Sequence, residues 1–179
     1  IRHVTYGYVS LYVMDITMIK IIDFETQNHP WYGQVASMHN PENFVVEAGW
    51  LDINWGEPLL QANVRSHRSD TLEESRDTSW FSLDGIEILV AHNAGYEIHV
   101  LLQRYRKEFL KFLKRGGRVL CTQYAEYLLT DFQHQYASLE EIAPNYGGTQ
   151  KVDGIKILWE QGHLTADIDK QLLHDYLTG

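Results

Sequence analysis

Residues 18–24, Met18-Ile19-Lys20-Ile21-Ile22-Asp23-Phe24, run directly into Glu25 and Thr26, and the fold turns on how this stretch is read. It is apolar and β-branched, with Lys20 as the interruption, which is the composition of a central strand ending at Asp23-Phe24-Glu25. On a strand, residues two apart leave the same face, so Asp23 and Glu25 would stand a few ångströms from one another. Two carboxylates held that close repel unless a cation lies between them, and oxygen-only ligands suit Mg²⁺ or Mn²⁺.

Working outward, strand-like runs at residues 32–38 and 44–50 flank the turn-forming His39-Asn40-Pro41-Glu42, which suggests an antiparallel meander joined to the first strand. The polar stretch 65–78 lacks a clear period and reads as a loop or short irregular helix. Residues 86–91 form the next apolar strand. Beyond them Ile98, Leu101, Leu102, Tyr105, Phe109, Phe112 and Leu113 recur at helical spacing until Gly116-Gly117 stops the pattern. A short strand over residues 118–121 leads into a helix over about residues 122–130. Ser138 and Glu141 make a capping box for another short helix. Thr165, with Asp167 and Asp169 following, marks the start of the last helix, whose apolar face carries Ile168, Leu172, Leu173 and Tyr176. Antiparallel strands first, then strands alternating with helices, predict an α/β domain with a mixed sheet flanked by helices and its site at strand ends. Residues 1–17, including VTYGYVSLYVMD, suit a strand or hairpin and form an unassigned extension.

A chain of 179 residues has room for one domain with a substantial core. Its composition, 44% hydrophobic and 22% charged, argues against disorder. Apolar runs extend only a few residues, far short of the roughly 20 that a membrane span needs, so no membrane partner is expected. No secretory signal is visible, and a start at Ile1 suggests a piece of a longer protein. The single cysteine, Cys121, excludes an internal disulfide and fits a reducing compartment; it reads as a small buried side chain. A net charge of −9 counts against gripping nucleic acid mainly by phosphate neutralisation. Carboxylates that recruit metal ions, with a larger partner supplying the grip, would reconcile the two.

Two further segments carry chemistry. In Ala91-His92-Asn93-Ala94-Gly95-Tyr96-Glu97, Asn93 offers a carboxamide at a strand end and Tyr96 a flat ring. Glu97 adds a third carboxylate where the helix dipole favours negative charge. The other is His174-Asp175-Tyr176-Leu177-Thr178-Gly179, in which Tyr176 taken alone reads as core. The nine histidines show no metal-ligand spacing, and His92 reads as structural, so a zinc hydrolase is disfavoured. Arg104, Arg106, Lys107, Lys111, Lys114, Arg115 and Arg118 make a dense basic cluster, read as a solvated helix face, with a contact to single-stranded DNA or a neighbouring domain as the rival.

Together the three segments resemble the 3′ to 5′ proofreading exonuclease domain of family A, phage-type DNA polymerases, within the DEDD exonuclease superfamily. The resemblance covers residues 18–179. Asp23 and Glu25 match the DxE of the first motif, Asn93 and Glu97 the second, and Tyr176 the third, YxxxD, whose Asp would fall one residue beyond Gly179. TQYAEYLL at residues 122–129 and SLEEIAPNYGG at residues 138–148 also look like those enzymes. The resemblance implies an RNase H-like α/β fold and release of nucleoside monophosphates with two Mg²⁺ or Mn²⁺ ions. It implies Asp23, Glu25 and Glu97 as metal ligands and catalytic groups, and Tyr176 as the residue that orients the attacking water. Thr26, Asn93 and Tyr96 would contact the terminal nucleotide of a single-stranded DNA 3′ end. A covalently linked or associated DNA polymerase domain and a cytoplasmic location in a bacterial or phage-infected cell follow from the same likeness.

Two departures stand out. Glu97 occupies a position where the family usually has Asp, and the final Asp of the third motif would fall one residue beyond Gly179. They keep open a catalytically impaired exonuclease-like domain with a structural or DNA-binding role. A free-standing exonuclease acting on short RNA is a second alternative.

Overall fold

The computed structural model describes residues 2–6, 9–13, 17–57, 63–133, 135–148 and 154–178. Strand β1 (Arg2–Tyr6) pairs antiparallel with β2 (Val9–Val13) in a separate two-stranded sheet. Strand β3 (Met18–Thr26) is the centre of a five-stranded sheet with β4 (Val45–Asn54), β5 (Arg65–Arg68), β6 (Ile88–Ala91) and β7 (Arg118–Cys121). The order is β5-β4-β3-β6-β7. Strand β4 runs antiparallel to both of its neighbours, whereas β6 and β7 run parallel to β3. Helices α1 (Gly95–Arg104), α2 (Arg106–Lys114), α3 (Thr122–Leu129), α4 (Leu139–Ile142), α5 (Gly154–Glu160) and α6 (Lys170–Thr178) flank it. This is the expected α/β architecture, a mixed sheet in the RNase H-like arrangement. No helix among the described residues is long and apolar enough to cross a membrane.

Strand β3 earns its central place through alternation. Ile22 and Phe24 enter the larger core with Leu89, Val100, Leu101 and Phe112, while Asp23 and Glu25 stay half-buried. Lys20, an unlikely residue for a central strand, is buried there because Asp52, directly opposite on β4, lies 2.6 Å from its Nζ. A smaller core joins Phe44 and Val46 to Ile155, Ile168 and Leu173, and so seats α5 and α6 against the sheet.

Four expectations are corrected. Residues 32–38 are not a strand: Tyr32 and Ala36 take left-handed backbone (φ 48° and 59°), and only an isolated bridge joins Trp31 to Gln34. Periodicity misled there because Tyr32 points into solvent, 92% exposed. Residues 65–68, read as loop, form edge strand β5, which its pairing to β4 creates rather than its polar composition. The long helix is two, because the chain leaves helical dihedrals at Tyr105 (φ −117°, ψ 28°), whose buried ring stacks on Phe24 at 5.8 Å. The last helix starts after Thr165: Asp169 caps it by accepting from the Leu172 amide (3.0 Å), and Leu172 is exposed. The Ser138–Glu141 capping box forms as expected.

Candidate active site at the end of the central strand

Asp23 pairs with Gly49 and Glu25 with Glu47 across the β3–β4 ladder, and side chains of directly opposed residues share a face. Helix α6 crosses this face. A Cβ on Gly49 would stand 2.9 Å from Leu177 Cγ, so the glycine lets the helix approach beside Asp23. Glu47 is buried, and it is answered from two directions: His174 Nδ1 of α6 donates to Oε1 (3.1 Å), and the Arg68 guanidinium lies 3.5 Å from Oε2. Arg68 also donates to the carbonyls of Ala166 and Ile168, which ties the chain before α6 to the edge strand.

The turn between β6 and α1 brings in the second set. Asn93 sits in left-handed backbone (φ 53°), where Asn is better tolerated than most residues, and its side chain is exposed. Its carbonyl accepts from the Tyr96 amide (2.9 Å), which starts the first turn of α1. His92 braces this turn. Its Nε2 lies 3.0 Å from the Ala137 carbonyl and must carry the hydrogen, so Nδ1 accepts from the Thr122 hydroxyl at 3.0 Å. Burial lowers its pKa, and the neutral ring suits that bracing role.

Glu97 is the most perturbed carboxyl group near the turn. It is 3% exposed, and its Oε2 has no hydrogen-bond partner. Its pKa is raised to about 8, first by burial and then by the charge of Asp23, while its own backbone amide pulls the other way. A buried carboxyl group with an orphaned oxygen, in the field of a second carboxylate, is an environment that a hard cation would relieve. Asp23 and Glu97 therefore fit a divalent ion by their chemistry. Among the described residues, no three His, Cys, Asp or Glu side chains stand together as a preformed ion site.

Glu25, Thr26 and Tyr96 line one cleft of about 210 Å³ with Asn28, Val35 and Trp159. The buried Thr26 hydroxyl and the Tyr96 hydroxyl are hydrogen-bonded to one another. Burial raises the Tyr96 pKa, so the phenol stays neutral. Tyr176 packs edge-on against Trp159, with ring centres 5.9 Å apart, one ring away from the cleft.

Of the predicted residues, then, Asp23 and Glu97 are electrostatically coupled, and Glu25, Thr26 and Tyr96 share a cleft. Tyr176 reaches it through Trp159, and Asn93 stands exposed at the adjoining turn. Gly179 lies outside the described residues. Sequence reading missed the clamp beneath the cleft: Gln27 accepts from the Ala166 amide (3.1 Å), Asn28 accepts from the Thr165 amide (3.2 Å), and Trp159 Nε1 donates to Thr165 (3.1 Å). Gln27 and Asn28, polar and directly after the strand, were its available signal. The basic cluster is partly consumed internally: Arg104 donates to the Asn43 carbonyl, Arg115 to the Leu83 and Ile86 carbonyls, and Lys111 pairs with Asp84 at 2.7 Å.

No family model and no curated protein matches this chain.

Proposed function

We propose that residues 18–179 form a divalent-metal-dependent 3′ to 5′ DNA exonuclease domain of the proofreading type. It would work beside a covalently linked or associated DNA polymerase domain in the cytoplasm of a bacterial or phage-infected cell. The observation that carries the reading is the buried, unpartnered carboxyl oxygen of Glu97 in the field of Asp23. Asp23, Glu97 and Glu25 would hold two Mg²⁺ or Mn²⁺ ions. When bound, such ions lower the pKa of a water and stabilise charge on the attacking and leaving oxygens of a phosphodiester.

The chain's own groups supply position. The Tyr96 ring and the Thr26 hydroxyl wall the cleft where a terminal nucleotide would sit, and the bond between them fixes both. Asn93 offers its exposed carboxamide at the rim. Tyr176, steadied by Trp159, would orient the attacking water through its hydroxyl. Held geometry of this kind is a large part of the rate in phosphoryl chemistry.

The test is release of nucleoside monophosphates from a 5′-labelled single-stranded oligodeoxynucleotide in magnesium. A ladder shortening from the 3′ end, stopped by chelator and by Asp23→Ala, is expected; wild-type turnover by Asp23→Ala overturns the reading. Matched RNA in the same assay reports sugar preference. A second reading, a catalytically impaired domain with a structural or DNA-binding role, is favoured by the burial that raises the Glu97 pKa to about 8 in the metal-free protein and so opposes the ionised form a metal ligand must take. Magnesium that leaves the oligonucleotide intact at pH 7 and pH 9 would support it.

A further inference from the structure

A second concavity, of about 310 Å³, opens beside Ala137 and is lined by Gln135, Tyr136, Glu141, Ile142 and Asn145. Ile142 is buried and gives it an apolar floor. The side chains of Gln135 and Asn145 are exposed, and each carboxamide offers both donors and an acceptor. The Tyr136 ring is 76% exposed, on left-handed backbone (φ 60°) that turns it outward. Glu141 is engaged in the helix cap, where its Oε2 accepts from the Ser138 amide at 2.7 Å.

The pocket is held in shape by its surroundings. The Ala137 carbonyl accepts from His92 Nε2 and from Gln123 Nε2, both at 3.0 Å. Tyr146, just past the pocket, donates to Glu126 of α3 at 2.6 Å. His92, at the turn before α1, thus links the wall of this pocket to the segment that carries Asn93 and Glu97.

The chemistry of the lining selects the ligand. Among the described residues, the lining has no lysine or arginine and one carboxylate, which repels a phosphate. An apolar floor, carboxamides at the rim and a free aromatic face instead complement a neutral, flat heterocycle that stacks by its faces and hydrogen-bonds by its edge.

We propose that this pocket holds an unpaired nucleobase of the bound strand, upstream of the nucleotide at the cleft. The inference rests on the exonuclease reading for the identity of the strand. Binding of a fluorescent oligo(dT) 10-mer is measured by anisotropy in chelator, where no cleavage occurs, with a single abasic site moved along the strand. In wild type, one interior abasic position is expected to weaken binding by roughly ten-fold, the loss of one stacked base. In Tyr136→Ala, and separately in Gln135→Ala with Asn145→Ala, that position-specific loss disappears while the 3′-terminal loss remains. These side chains are exposed, so circular dichroism should match wild type. An abasic profile unchanged by the substitutions, or flat at interior positions in wild type, overturns the proposal even if nucleotides are released in magnesium. A Tyr136-dependent interior position in a protein that releases none sustains the pocket and overturns the exonuclease reading.

Discussion

Replacing Glu97 by glutamine should stabilise the metal-free protein, by an amount that grows with pH. The carboxyl group has an ordinary pKa of 4.5 and is raised to about 8 in the fold. Between those values the native state binds a proton that the unfolded chain releases, so native stability falls as pH rises through that window. At pH 7 the deficit spans two and a half pH units at about 1.4 kcal/mol each, or about 3 kcal/mol; above pH 8 it approaches roughly 5 kcal/mol. Water that penetrates to Glu97 lowers both. Glu97→Gln removes the titration and leaves only the desolvation of an amide, which does not change with pH. Urea denaturation in chelator at pH 5.5, 7 and 8.5 should show the variant gaining on wild type at each step. Magnesium should then stabilise wild type and leave the variant nearly unmoved, because a cation relieves the ionised carboxylate and not the amide. A gap between the two proteins that stays constant from pH 5.5 to 8.5 would refute the argument that Glu97 is held neutral by burial and Asp23.

His92 should act in the opposite sense: its lowered pKa means that stability is lost as pH falls below the ordinary value of 6.5, because the unfolded ring takes a proton the folded one resists. The urea midpoint of wild type relative to His92→Asn should therefore narrow from pH 7.5 to pH 5. Gly49→Ala should destabilise by about 1–3 kcal/mol in the same assay, since its new methyl meets Leu177 at 2.9 Å and pushes α6 off the sheet. Tyr176→Phe should retain weak activity in the nucleotide-release assay, since it removes one positioning bond, whereas Asp23→Ala should retain none. Replacing Arg106 and Lys107 together, away from the internally paired cations, should leave the salt slope of DNA binding unchanged if this helix face is only solvated.

What the local sequence determined is the part governed by periodicity and caps. The β-branched run of β3, the apolar run of β6, the break at Gly116-Gly117 and the Ser138–Glu141 box were legible because alternation and capping act over a few residues. The two-apart spacing of Asp23 and Glu25 likewise put both carboxylates on one face before any tertiary contact was known. Tertiary structure decided the rest. Polar residues 65–68 become a strand only because β4 offers an unpaired edge, and the helix breaks at Tyr105 because its ring is drawn onto Phe24. The character of Glu97 was equally invisible: at the start of a helix it reads as an ordinary solvated acid, and only burial beside Asp23, more than 70 residues away in sequence, raises its pKa. Desolvation and through-space charge depend on what surrounds a group in three dimensions, and no local pattern records that.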